Sequence, residues 1–156
     1  MIFTTKAEYG VRLLVELGRQ SENRPVSLKA IAEAEGLPLA YLERIVALLR
    51  KAELVESTRG AHGGYRLARP AEDISMDEAI LALEGSVAPM TCFVDDRDSG
   101  HSVLCSHEAD RGHGCATKLL WTRVQGGVFK ALQQTTLADL VAFSNKTPPT
   151  RDLLHA

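Results

Sequence analysis

Apolar residues return at helical spacing through most of the first 85 positions and again from about residue 115 onward, and the stretch between keeps no period. In the first run, Ala7, Val11, Leu14 and Leu17 mark one face of a helix. Thr5 and Glu8 stand at capping-box spacing at its start, and the run fades near Gln20, before Asn23-Arg24-Pro25. Ser27 is an N-cap for SLKAIAEAEG, with Leu28, Ile31 and Ala32 inward and Gly36 as the stop. After Leu37-Pro38, LAYLERIVALLRKA sets Leu42, Ile45 or Val46, and Leu49 on one side of a third helix. Two short helices joined by a tight glycine turn form a helix-turn-helix pattern, which plain helical bundles share.

The next residues narrow the choice. LVEST and YRLA are strand-like runs separated by RGAHGG, a hairpin with a glycine-rich tip. A helix-turn-helix followed directly by a basic hairpin is a winged helix. Ser75 and Glu78, again at capping-box spacing, open a helix through Leu83 that ends at Gly85. Residues 86–114 show no assignable element, and loops of that length are usually functional or disordered. Cys115 to about Gln134 reads as a long helix with Leu119, Leu120, Val124 and Val128 apolar and Gly126-Gly127 as its weak point. Thr136 and Asp139 open a last short helix. The expectation is a mainly α chain: a winged helix-turn-helix domain over 1–85 with a small β-hairpin wing, a cysteine-bearing loop over 86–114, a long and a short helix over 115–143, and a flexible tail over 144–156.

Composition, 45% hydrophobic and 24% charged, is that of an ordinary globular protein. The N-terminus lacks the apolar core of a secretory signal, and no apolar run is long enough to cross a membrane. A cytoplasmic location, where thiols stay reduced, is therefore expected. Net charge is −2, yet residues 1–70 hold 11 Lys+Arg against 8 Asp+Glu. Within them, Arg44, Arg50, Lys51, Arg59, Arg66 and Arg69 face only Glu53 and Glu56. A basic patch on an acidic chain points to a polyanion at one place.

On the third helix the outward residues include Ala40, Tyr41, Glu43, Arg44, Ala47, Arg50 and Lys51. Phosphates repel Glu43, so its use near DNA would be to accept a hydrogen bond from cytosine N4; the alternative is an ion pair with a Lys or Arg of the same helix. Arg44 and Arg50 suit phosphates or guanine edges, and Arg59 at the wing base suits a phosphate or the minor groove. Gly63 and Gly64 either admit a close backbone approach or serve the hairpin itself. Tyr41 either touches DNA or packs against the wing.

All three cysteines, Cys92, Cys105 and Cys115, and three of the five histidines, His101, His107 and His113, fall between residues 91 and 121. In a reducing compartment such clustering means metal binding or redox sensing. The closely spaced cysteine pairs of structural zinc sites are missing, although a zinc site of three cysteines with His107 or His113 stays open. A metal-free switch, in which two cysteines join under oxidant, is a further reading. No Cys–His pair has an identifiable orienting third residue, so no enzyme is expected. A winged helix that binds protein in place of DNA is the other non-enzymatic alternative.

FTTKAEYGVRLL at 3–14, YLERIVALLRKAELVES at 41–57, RGAHGGYRLARPAEDIS at 59–75, CATKLLW at 115–121 and TLADL at 136–140 together resemble the winged-helix regulators that include IscR, NsrR and RirA. The resemblance spans nearly the whole chain. It implies a homodimeric transcription regulator, expected to be a repressor, on a partly palindromic double-stranded DNA operator, with the long helix after Cys115 as the dimerisation helix. It also implies an iron–sulfur cluster (2Fe–2S or 4Fe–4S) on Cys92, Cys105 and Cys115 that senses iron, redox state or nitric oxide. For a fourth ligand the family offers a histidine position, here Lys118, whose protonated amine cannot ligate, or an acidic residue of the first helix reaching over from the other subunit, here Glu8. Twelve residues separate Cys92 from Cys105 and nine separate Cys105 from Cys115, wider than in the cluster-binding relatives. Loop-closure entropy grows slowly with length, so such a loop can still close; cluster type and the part of Cys92 stay open.

Overall fold

A computed structural model describes residues 3–87 and 115–146. Its elements are α1 (Thr5–Gly18), α2 (Leu28–Glu35), α3 (Leu39–Lys51), β1 (Val55–Thr58), β2 (Gly64–Leu67), α4 (Met76–Glu84), α5 (Ala116–Gln133) and α6 (Leu137–Lys146). The two strands pair antiparallel, Val55 opposite Leu67 and Thr58 opposite Gly64. The expected mainly helical winged helix is therefore what the chain forms. Cys92, Cys105, the three histidines of their segment and the residues after 146 lie outside the described residues. The last helix runs to Lys146, past its expected end at 143. No described helix is long and apolar enough to cross a membrane.

Several local rules act as the sequence suggests. The Ser27 hydroxyl accepts the Ala30 N–H at 3.1 Å, and Gly36, at φ 63°, closes α2. Thr136 and Asp139 cap α6 reciprocally: Asp139 Oδ2 accepts the Thr136 N–H at 2.9 Å, and Thr136 Oγ1 accepts the Asp139 N–H at 3.2 Å. Gly126 and Gly127 sit inside an unbroken α5.

Two other expected caps are built differently. Ser75 precedes α4 but donates its hydroxyl to Asp77 at 2.6 Å and makes no side-chain cap, while the Glu78 carboxylate pairs with the Arg69 guanidinium. At α1 the cap is Thr4, not Thr5: Thr4 Oγ1 accepts the Lys6 N–H at 3.2 Å. Glu8 is exposed and takes no part in the cap. The carboxylate is supplied by Glu84, at the far end of α4. Its Oε1 accepts the Thr4 N–H at 3.0 Å, the Ala7 N–H at 3.2 Å and the Thr4 hydroxyl at 2.6 Å.

The core is arranged around α1. Leu13 and Leu14 are both 0% exposed and Leu17 is 1% exposed, so the helix is covered on more than the single face its periodicity suggested. It touches α2, α3, α4, β2 and α6. Gly10 lets α4 come close, since a Cβ there would lie 2.4 Å from a Leu83 methyl. Leu137 of α6 is fully buried in the same cluster, so the C-terminal helix shares the core of the winged helix. A smaller cluster of Ala7, Ile80 and Val87 receives Val128 and Phe129 of α5. Elsewhere α5 is open: Leu119 is 61% and Leu120 54% exposed.

Glu84 has a side chain only 6% exposed. Burial pushes its pKa up, but hydrogen bonds from Thr4, the Lys6 charge and the Ala7 amide outweigh burial and hold it below the ordinary 4.5. A depressed folded-state pKa stabilises the fold above the ordinary value, and that stability is lost as pH falls through it. Glu84→Gln should therefore cost about 1–3 kcal/mol at neutral pH. Thermal melts of both proteins should converge as pH falls below the ordinary carboxylate range, where the wild-type carboxyl becomes protonated. A gap that stays constant with pH would show that the carboxylate charge is not its source.

Candidate DNA interface and thiol site

Helix α3 buries Leu42, Ile45, Val46 and Leu49, which leaves Glu43, Arg44, Ala47, Arg50 and Lys51 exposed on the other side. The turn that leads into it is fixed from α1. Arg12 donates through Nε to Glu35 Oε2 at 2.8 Å and through Nη2 to the Glu35 carbonyl at 2.6 Å. Tyr41 meets Tyr9 of α1 edge to face, with ring centroids 5.6 Å apart at 86°. Tyr41 thus rests on α1 through this contact.

Ion pairing sorts the basic residues. Arg66 is held by Glu56 at 2.6 Å and Arg69 by Glu78, so these two charges are locally compensated. Arg44, Arg50, Lys51 and Arg59 are exposed and make no ion pair among the described residues. Glu43 likewise makes none, so the expected alternative of a pair within its own helix does not form. The result is four exposed cations without ion pairs, with Glu43 and Glu53 as exposed carboxylates that are likewise unpaired among the described residues. That pattern suits phosphate contacts around a point of base readout.

The wing is a hairpin with a third, partial strand. Val26 and Tyr65 exchange backbone hydrogen bonds of 2.9 and 2.8 Å. The Asn23 side chain continues this edge: Nδ2 donates to the Leu67 carbonyl at 2.9 Å, and Oδ1 accepts the Leu67 N–H at 3.2 Å. Gly64 is glycine because a Cβ would meet the Val26 carbonyl oxygen at 2.4 Å. Gly63 serves the hairpin itself, since a Cβ there would lie 2.3 Å from the Thr58 carbonyl oxygen. Neither the Asn23 pairing nor the Tyr9–Tyr41 contact leaves a local pattern in the chain. Both join residues too far apart for any periodic rule.

Cys115 is the N-cap of α5, half-buried, with Sγ 3.1 Å from the Thr117 hydroxyl. A helix N-terminus favours an anionic ligand such as a thiolate. Glu8 lies on the first turn of α1. Among the described residues no three candidate ligands converge, and Cys92 and Cys105 lie outside them. The donor chemistry of the chain, three thiols and one carboxylate left out of its helix cap, fits an iron–sulfur centre.

Residues 3–143 match the family model described as "Rrf2: Iron-dependent Transcriptional regulator". The chain is 36% identical over 148 residues to the protein rrf2 of Nitratidesulfovibrio vulgaris, covering 95% of this chain and 92% of that one. Its fold is similar to that of CymR, the global cysteine regulator of B. subtilis, with a TM-score of 0.73 and 34% identity over 92% of this chain and 98% of that one. It is similar as well to T. potens IscR, with a TM-score of 0.72 and 34% identity over 96% and 94%. With a winged helix, exposed cations on α3 and the wing, and a family match over almost its full length, the chain belongs to the Rrf2 family of DNA-binding transcription regulators and is not an enzyme.

Proposed function

We propose that the protein is a homodimeric repressor that reads a partly palindromic operator with α3 and the wing, and that an iron–sulfur cluster on Cys92, Cys105 and Cys115 sets its affinity. The observation that carries this is the placement of Cys115. It stands at the N-cap position of α5, the helix on which Leu119 and Leu120 are exposed. A ligand and a dimer contact on one helix mean that a change at the centre displaces the partner. Half-sites lie about 34–36 Å apart, so a small displacement changes whether both recognition helices fit.

In this reading Glu43 accepts from a cytosine, and Arg44 and Arg50 hold phosphates or guanine edges. Arg59 reaches the backbone or minor groove from the wing base, and Gly63, which the hairpin itself requires, also leaves the wing tip without a side chain there. Tyr41, fixed by Tyr9, flanks them. Glu8, freed from capping by Glu84, is the fourth ligand, offered to the cluster of the other subunit. A bound cluster supplies a centre that reacts with oxidants or nitric oxide and ties the cysteine segment together. The second reading is a metal-free thiol switch on the same fold. The wide spacing of the cysteines and the likeness to a cysteine regulator favour it.

Arg44→Ala or Arg50→Ala should weaken binding to any duplex and lower the slope of log affinity against log salt by about 1 each. Glu43→Ala should leave general affinity intact and lose about 1–3 kcal/mol of discrimination at one base pair. Slopes equal to wild type would remove the interface. Protein purified without oxygen should show broad visible absorption with matching iron and sulfide. Each Cys→Ala should abolish that absorption, and Glu8→Ala should make the cluster easier to lose. A colourless protein after reconstitution, with DNA affinity that an oxidant changes, would establish the thiol switch in its place. Leu119→Glu combined with Leu120→Glu should turn a dimer into a monomer in sedimentation; an unaltered dimer would place the interface elsewhere.

A further inference from the structure

We infer that Asn23 is a positioning residue for DNA binding: its side-chain amide closes the edge of the wing and so sets where Arg59 reaches. The inference rests on the reading that the wing meets DNA. An isolated two-stranded hairpin is marginal in water, and each strand here is four residues long. Something must hold it at one angle to α3. On the β1 side the chain leaves α3 directly, with Leu54 fully buried and its carbonyl accepting the Ala68 N–H at 3.0 Å. On the β2 side Leu67 is buried in the core and Arg69 pairs with Glu78 of α4, which holds the end of the strand nearest the core. The free edge of β2 is closed by residues 23–26.

Asn23 carries a donor and an acceptor in the arrangement of a peptide group. It uses both on the same residue, Leu67, 44 positions away, as a paired strand would. The chain reaches this position through two left-handed residues, Glu22 at φ 56° and Asn23 at φ 51°. Asparagine tolerates that conformation better than most side chains, so one residue serves the turn and the edge together. Three residues on, Val26 pairs with Tyr65, and the missing side chain of Gly64 lets the strands approach. Beyond this edge the tip from Arg59 to His62 is exposed, and its reach is fixed only by its base.

The test uses the full-length protein and an operator duplex selected from genomic fragments by the wild-type protein. Asn23→Gly keeps the left-handed backbone and removes the amide. Asn23→Asp keeps the shape and turns a carboxylate toward the Leu67 carbonyl. Each should weaken binding roughly tenfold, the size of losing one or two hydrogen bonds. Combined with Arg59→Ala, Asn23→Gly should weaken binding no further than the worse single change, whereas with Arg44→Ala the two effects should multiply. A purely structural residue would multiply with both. Wild-type affinity in both Asn23 variants, or multiplication with Arg59→Ala, overturns the inference while leaving the DNA interface standing. Wild-type affinity in Arg59→Ala alone overturns the wing contact, and this inference with it. Should the glycine variant fail to fold, the aspartate variant gives the same comparison.

Discussion

Leu13 and Leu14 are neighbours in sequence and both are fully buried. Successive residues on a helix point about 100° apart, so this is possible only where the helix is covered through much of its circumference. Five other elements supply that cover, and every one of them takes its place by packing on α1. Helix α3 can turn a charged face outward because its apolar face has α1 to rest on. Helix α4 comes close because Gly10 has no side chain. Helix α6, although last in the chain, contributes Leu137 to the same cluster. The recognition surface and the C-terminal helices are thus referred to one common strut.

The ends of that strut are tied as well. Its first turn is held by a carboxylate from α4, and its second half meets the helix-turn-helix through Arg12 and Glu35. One rigid element therefore runs from beside Val87 to the helix-turn-helix. Such an element passes on displacement without needing to bend.

Much of this was legible from residues three or four apart. Ser27, Gly36, the Thr136–Asp139 box, the outward charges of α3 and the hairpin all follow from local chemistry. The α1 cap was misread because Glu8 satisfies the local spacing, while the carboxylate that serves stands 80 residues away. The second buried face of α1 was missed for a related reason: a single-face pattern is what a helix shows when it lies at a surface, not when others surround it. The Asn23–Leu67 pairing, 44 residues apart, leaves no local trace. As for the site, residue types and the cationic patch could be read directly. Which cations stay uncompensated depended on Glu56 and Glu78, whose partners only the fold selects.

Residues 88–114 leave the frame at Val87 and rejoin it at Cys115. Both points belong to one helix: Cys115 caps α5, and Gln125 of α5 donates to the Val87 carbonyl at 3.1 Å. The exit and the return are therefore separated by about 15 Å of helix axis, at 1.5 Å per residue. A segment whose two ends meet one helix can gain or lose residues without disturbing the elements packed on α1. Insertions there change what the chain carries, not how its core is built, so the length of the segment and the winged helix are free to vary independently.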